Sequence, residues 1–303
     1  MGQLIALCFG LLLATAEAKA PSGGRPIRYV TNTPSNRRDV FVVAHEDDWQ
    51  LFMGDIAARQ IRAGDSVSFI YLTAGDDGRD SLYWRTRERA ALQSTRVAIG
   101  RDASDSTEVR CSTTTVLNHA IQQCAVANTR SYFLRLPDGK RNGIGFASHD
   151  YQSLRKLRGK KIPVVNAVDG SAAYNGWEDL TGTITNVIGP SSSDRDVVVH
   201  VNDPSVAANP HDHFDHRMAG LLVEDLRRTQ LWKTQYYVGY ALATRAANRS
   251  TDEAREKTAI FLAYDAVMKR GNPKWSAYEE HPGFYSECML RTYARKARPS
   301  NRR

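Results

Sequence analysis

The chain is short of cysteine, of long apolar stretches and of punctuation. Four cysteines occur in 303 residues, too few for a scaffold held together mainly by disulfides. Cys8 lies in the N-terminal apolar segment. Of the other three, Cys111 and Cys124 are the candidate bridge in an oxidising compartment and leave Cys288 free or buried; three reduced thiols are the alternative. The one sustained apolar run, Leu4 to Leu13, is shorter than the ~20 residues a membrane span needs. There is no internal repeat, no low-complexity block and nothing resembling a linker. A Gly-rich phosphate loop and an H-E-x-x-H helix are also missing, which counts against two common hydrolytic designs.

What is present at the N-terminus, "MGQLIALCFGLLLATAEAKA", reads as a secretory signal over residues 1–20, with Ala18-Lys19-Ala20 as its small-x-small cleavage pattern. The competing reading is an N-terminal core strand or helix. Net charge is +8, and much of the excess lies in "LRKLRGKK" (154–161) and in the tail "ARKARPSNRR" (294–303). Such clusters suit anionic surfaces or nucleic acid. No base-stacking aromatic pattern accompanies them, so solvated loops and a frayed end are expected instead, with no nucleic-acid partner.

Residues 21–38 are an irregular lead-in rich in Pro, Gly, Ser and Arg. A single α/β domain is expected over 39–295, with a basic tail over 296–303. "DVFVVA" (39–44) is a continuous apolar run of the kind buried on both faces of a parallel sheet. A helix from about Gln50 to Arg62, a strand "VSFIYLT" (67–73) and a helix over 85–100 complete a β-α-β-α pattern. That pattern implies a mostly parallel, Rossmann-like sheet with helices on both faces. Further strands are expected at "SYFLRLP" (131–137), "DVVVHVN" (196–202) and "QYYVGYAL" (235–242), and helices near 174–187, 215–230 and 252–270.

In such sheets the ligand crevice lies at the carboxyl ends of the strands. Three acid- or histidine-rich clusters fall there. His45-Glu46-Asp47-Asp48 follows the first strand, Asp76-Asp77 the second, and "PHDHFDH" (210–216) the strand at 196–202. Carboxylates at a helix start are ordinarily explained by the dipole and the unpaired N–H groups. Three clusters around one crevice point instead to a metal site. A catalytic zinc keeps three protein ligands and an open position, and His45, Asp48 and His216 make such a set. Asp47 is then spare as a general base, and His213 is placed to face a substrate carbonyl. Asp76 and Asp77 read as a turn, and His211 as a cap or as a group behind the ligands. His119, His149, His200 and His281 read as structural.

"AHEDD" after a first buried strand and "HFDHRMAG" opening a late helix resemble the two signatures of the PIG-L/LmbE-like de-N-acetylases. "SVSFIYLTAGDDG" (66–78) and "RTRERAALQSTRVAIG" (85–100) are similar to that family's second strand and its Arg/Glu-rich helix. The resemblance implies zinc-dependent, or other divalent-metal, hydrolysis of the acetamide of an N-acetylglucosaminyl conjugate on a Rossmann-like fold. By position it makes His45, Asp48 and His216 the metal ligands, Asp47 the base and His213 the group that polarises the carbonyl or protonates the amine. Asp215 becomes the carboxylate that orients a histidine. Arg85 or Arg87 would hold substrate. Glu46 stands where the family usually has proline and Trp49 where it has an acid; an indole at the site mouth would stack on a sugar or aryl group. "AHEDDWQLF" and the bulky middle, with Tyr174 and Trp177 as an apolar acceptor surface, further resemble the deacetylases of glycopeptide-antibiotic assembly. Two rivals stand beside this reading: a metal-dependent hydrolase of a phosphoester or peptide, and a catalytically silent carbohydrate-binding protein. The intact base argues against the second.

Overall fold

The apolar run after the lead-in becomes strand β1 (Arg37–Val43), and every one of its last five residues is buried. The computed structural model describes residues 36–100, 108–192, 196–272, 275, 278 and 282–297. The expected signal segment, most of the lead-in and of the basic tail, and His281 lie outside these residues.

From β1 the chain continues through α1 (Asp48–Arg62), β2 (Ser66–Thr73) and α2 (Ser81–Ala98). Strands β3 (Arg110–Val116), β4 (His119–Val126) and β5 (Thr129–Leu136) follow as consecutive hairpins. Next come α3 (Leu154–Arg158), the small pair β6 (Val164–Asn166) and β7 (Ala173–Asn175), α4 (Trp177–Ile188), β8 (Asp196–Asn202) and α5 (Phe214–Leu226). The last elements are β9 (Lys233–Tyr237), α6 (Thr251–Gly271), α7 (Pro282–Met289) and β10 (Ala294–Lys296).

The main sheet has eight strands in the order β10-β9-β8-β1-β2-β5-β4-β3. Its centre, β9-β8-β1-β2-β5, is parallel, as the β-α-β-α pattern predicts. Successive side chains of a strand point to opposite faces, so β1 splits its apolar residues between two cores. Val40 and Val42 pack with Leu180, Ile184 and Leu222 of α4 and α5. Phe41 and Val43 pack with Phe52 of α1 and Ile260 and Phe261 of α6. The expected α/β architecture, a mostly parallel sheet covered on both faces, is what forms.

Among the parallel strands the chain runs outward from β1 to β2 and β5, then returns to place β8 on the other side of β1. Strand order therefore reverses between β1 and β8, and at such a reversal the crevice outside the carboxyl ends opens. The loops carrying His45–Asp48 and His211–His216 both leave the sheet there.

Some expectations shift. The hairpin β3–β4 was not anticipated, because "RCSTTTV" is a largely exposed edge strand without apolar periodicity. Its turn residues Leu117 and Asn118 both take positive φ (47° and 69°), as a tight primed turn requires. Helix α2 starts at Ser81 rather than 85, since the Asp80 side chain caps it by accepting from the Tyr83 N–H. The strand expected over 235–242 ends at Tyr237, and residues 240–244 coil into a 3-10 turn.

Candidate active site

Strand β1 stops at Val43, and the next two peptide N–H groups are collected by one carboxylate. Ala44 N and His45 N donate to Asp48 Oδ2 at 3.0 and 2.8 Å. That pins the loop and leaves Asp48 Oδ1 to face two imidazoles. It lies 2.9 Å from His216 Nε2 and 3.5 Å from His45 Nδ1. The two ring nitrogens are 3.2 Å apart. All three residues are buried.

These three separations test whether a metal fits. Ligand bonds of ~2.0–2.1 Å in a tetrahedron put donor atoms about 3.3 Å apart, and the observed triangle has that size. The surroundings agree with the geometry. Burial works to lower the His216 pKa, yet Asp48 and Asp212 outweigh it and push it up to about 10. A pocket that attracts a proton so strongly is built for positive charge. His216 Nδ1 is held by Asp212 Oδ1 at 2.9 Å, the carboxylate–histidine arrangement that fixes a ligand's ring. His45, Asp48 and His216, predicted as the ligand set, are brought together and fit a divalent cation.

A second group of side chains borders His45. His213 caps α5, its Nδ1 accepting from the Asp215 N–H at 3.2 Å. The ring proton is thereby placed on Nε2. Burial, followed by the charge of nearby His45, brings the His213 pKa down to about 4. Asp215 is fully buried, and its Oδ2 accepts the Gly139 N–H at 2.7 Å. His45 Nε2 lies 3.7 Å from Asp215 Oδ2 and 3.6 Å from Asp138 Oδ2. Both separations exceed a hydrogen bond, as does the 3.8 Å from Asp215 Oδ2 to His213 Nδ1. Asp215, expected to orient a histidine, therefore holds His213 through its backbone N–H rather than through its carboxylate. The orienting carboxylate for His216 is Asp212.

Asp47 is the first residue of the cluster to reach the surface. It occupies the N-cap position of α1 without capping it through its side chain, and it borders an open cleft of about 410 Å³ shared with Leu51, Arg141, Tyr240, Phe284 and Tyr285. Arg87 comes from α2 and donates from Nη2 to Asp47 Oδ1 at 2.6 Å and from Nε to Glu46 Oε2 at 2.9 Å.

Several expected roles are corrected. Trp49 is not at the mouth: it is fully buried, tilts against Phe69 and donates from Nε1 to Tyr71 Oη at 3.0 Å. The residue after Asp48 lies on the side of α1 that faces the sheet. Arg87 is buried against two carboxylates, and exposed Arg85 lies over the Trp84 ring; neither takes the substrate-holding position expected of one of them. Tyr174 stacks on His119 in the interior. Trp177 donates to Asp225 and lines a second cleft with Leu157, Ile162 and Pro163, so neither walls the cleft that Asp47 borders. Asp76 is no mere turn residue. It is fully buried and accepts from the Asp138 N–H, with His149 Nε2 2.9 Å away, which anchors the loop carrying Asp138 and Gly139. Asp77 does sit in the turn, at φ 51°. His211 is exposed. His200, read as structural, is buried between Asp39 and Tyr237. Cys111 and Cys124 form a disulfide across the β3–β4 hairpin, and Cys288 is free and buried.

Asp138 was missed although it follows strand β5, so the strand-end rule that found the other clusters points to it as well. Tyr240, Phe284 and Tyr285 carry no local signal; long-range packing alone brings them to the cleft.

The family model described as "PIG-L: GlcNAc-PI de-N-acetylase" matches residues 40–226. No curated protein matches the chain. Among solved structures, N,N'-diacetylchitobiose deacetylase from Pyrococcus horikoshii aligns with 16% identity and a TM-score of 0.43, covering 86% of this chain and 83% of that one. A deacetylase of the teicoplanin biosynthetic pathway aligns at 11% identity and TM-score 0.42, covering 88% and 100%. The 4-carboxy-2-hydroxymuconate hydratase of Pseudomonas putida aligns at 12% identity and TM-score 0.41, covering 82% of each.

Proposed function

Because the chain belongs to the PIG-L family of de-N-acetylases, and is thus an N-deacetylase, we propose that it hydrolyses the acetamide of an N-acetylglucosaminyl conjugate with zinc as its metal, releasing acetate and a free amine. The observation that carries this reading is the buried triangle of His45, Asp48 and His216 with a spare carboxylate, Asp47, at the cleft. Imidazole and carboxylate donors suit zinc. When bound, such a metal polarises the acetyl carbonyl and makes water a stronger acid.

The protein's own groups do the rest. Asp47 takes the proton of the attacking water on its carboxylate. His213, neutral and protonated at Nε2, donates to the oxygen that gains charge as the carbonyl carbon becomes tetrahedral. Collapse of that intermediate breaks the C–N bond, and the proton taken up by Asp47 passes to the nitrogen as the amine leaves. Asp48 also ties the loop of β1 to the ligand set, so the base and the metal site share one rigid peptide.

The conjugate's remaining part is assigned to the cleft walled by Tyr240, Phe284 and Tyr285, with Arg141 at its rim. Its volume falls within the ~300–1,000 Å³ of small-molecule sites. This wall supports an apolar or aromatic aglycone, as on a glycopeptide or another secondary metabolite. It replaces Trp49, Tyr174 and Trp177 as the basis for that reading. Export from the cytoplasm is proposed on the N-terminal segment, and the Cys111–Cys124 disulfide supports it.

The test is a panel of N-acetylglucosaminyl glycopeptides, glycolipids and inositol conjugates, read by mass for loss of one acetyl group. Asp47→Asn should keep its metal and lose about 10²–10⁴-fold in turnover. Turnover at the wild-type rate would remove Asp47 from the role of base. Cleavage confined to phosphoesters or peptides would favour the rival hydrolase.

A further inference from the structure

Arg87 is an arginine in the interior, 7% exposed. Burying a guanidinium is costly unless carboxylates meet it with good geometry. Two do, and they are sequence neighbours: Glu46 at Nε and Asp47 at Nη2. We propose that Arg87 is a positioning residue that fixes the carboxylate of Asp47 toward the cleft, and that Glu46 is the anchor that holds Arg87 in place. This rests on Asp47 being the base.

Three observations carry it. First, among the described residues no side chain other than Arg87 holds the Asp47 carboxylate. Its side chain does not cap α1, and among the described residues Arg87 is its only hydrogen-bond partner. One oxygen is therefore clamped at 2.6 Å, while the same residue lines the cleft. Second, the clamp cannot swing away. Glu46 is 1% exposed, its backbone carbonyl accepts from Gln50 Nε2 at 2.9 Å, and the Tyr264 ring lies 5.9 Å from the guanidinium carbon. Third, the backbone has been cut back to admit the pair. A Cβ at Gly75 would stand 2.7 Å from Glu46 Oε2 and 2.8 Å from Arg87 Nε, and Gly75 already takes φ +51°. Only glycine leaves this room.

A planar guanidinium can hold two carboxylates in a fixed relation where an ammonium cannot. Its effect on catalysis runs entirely through Asp47, which yields a test that a merely structural arginine would fail. Arg87→Gln should lower kcat about 10–100-fold, the order of loss expected from a misplaced group, with KM within about 2-fold and metal content unchanged. In the Asp47→Asn background the same substitution should cost nothing further. Arg87→Lys, which keeps the buried charge, should fall between, and it carries the same cycle if Arg87→Gln does not fold. Glu46→Gln should show a smaller loss that also vanishes without Asp47. A rise in KM with kcat intact would make Arg87 a substrate contact and overturn the proposal. Equal losses with and without Asp47 would overturn it too. Wild-type turnover in Asp47→Asn would instead remove the base assignment itself, a result distinct from either.

Discussion

His45 Nδ1 and His216 Nε2 stand 3.2 Å apart although 171 residues separate them in the chain, and both rings are buried. A lone pair facing a lone pair at that distance is unfavourable without a proton or a cation between them, and Asp48 Oδ1 closes the triangle. Removing the metal with a chelator should therefore abolish deacetylation and lower the melting temperature, since a ligand bound only by the folded state stabilises it. Zinc should restore both. His216→Ala should lose stoichiometric metal. Asp212→Ala should keep the ligands yet weaken metal affinity about 10–100-fold, the usual loss when an orienting carboxylate goes. Full metal retention in His216→Ala, measured by elemental analysis, would break the ligand assignment.

Trp49 gives a second test, because its place in the fold and its expected place diverged. With Nε1 on Tyr71 Oη and the ring against Phe69, it serves the core. Trp49→Phe should cost about 1–2 kcal/mol from the lost hydrogen bond and volume and leave KM for the conjugate unchanged. Denaturant unfolding and steady-state kinetics read the two effects separately. A raised KM at wild-type stability would return Trp49 to the substrate.

The contrast between Trp49 and its neighbours shows what was legible. His45, Asp47, Asp48, His213 and His216 stood out because charged and imidazole groups cluster just beyond the ends of apolar strands, where the crevice lies. The order of apolar runs likewise carried the parallel centre of the sheet. Which way a residue turns at a helix start is a matter of one-residue phase, and there the sequence misled. Asp138 obeyed the same strand-end rule but stands alone in "LPDGK", without the clustering that drew attention elsewhere. Arg87 was recognisable as important and misassigned, since only the folded chain shows that its two partners are Glu46 and Asp47 rather than a ligand. Tyr240, Phe284 and Tyr285 follow no pattern, because the cleft they wall is made by packing between segments distant in the chain.

The disulfide should separate stability from activity. Cys111 and Cys124 pair in register across β3 and β4, at the sheet edge farthest from β9, with β4, β5 and β2 between β3 and β1. Replacing both by serine opens a loop with a separation of 13 residues, worth about 3 kcal/mol in the chain-entropy account. Denaturant midpoints should fall accordingly, while the folded variant turns over at the wild-type rate. A large loss of kcat without a loss of stability would tie the hairpin to the site.

Lys257 supplies the last prediction, one of pH. Its ammonium is fully buried, and Nζ donates to the carbonyls of Cys288 and Arg291 and to Thr292 Oγ1. Burial pushes its pKa down from 10.5 to about 8, with the Asp55 carboxylate opposing and the Arg249 guanidinium adding to the fall. Cys288, the other ionisable neighbour, is pushed up to about 12 by burial and stays a thiol through this range. Between pH 8 and 10.5 the unfolded chain holds the lysine proton and the folded chain releases it. Stability then rises with pH across that window, because the unfolded state binds more protons. Below pH 8 both states are charged and the burial cost is constant. The gain amounts to about 3 kcal/mol at most. Subtracting the unfolding free energy of Lys257→Met, measured at the same pH values, cancels lysines and tyrosines elsewhere. The difference should grow in favour of the wild type from pH 8 to 10.5, and a flat difference would show that the three acceptors hold the ammonium charged throughout.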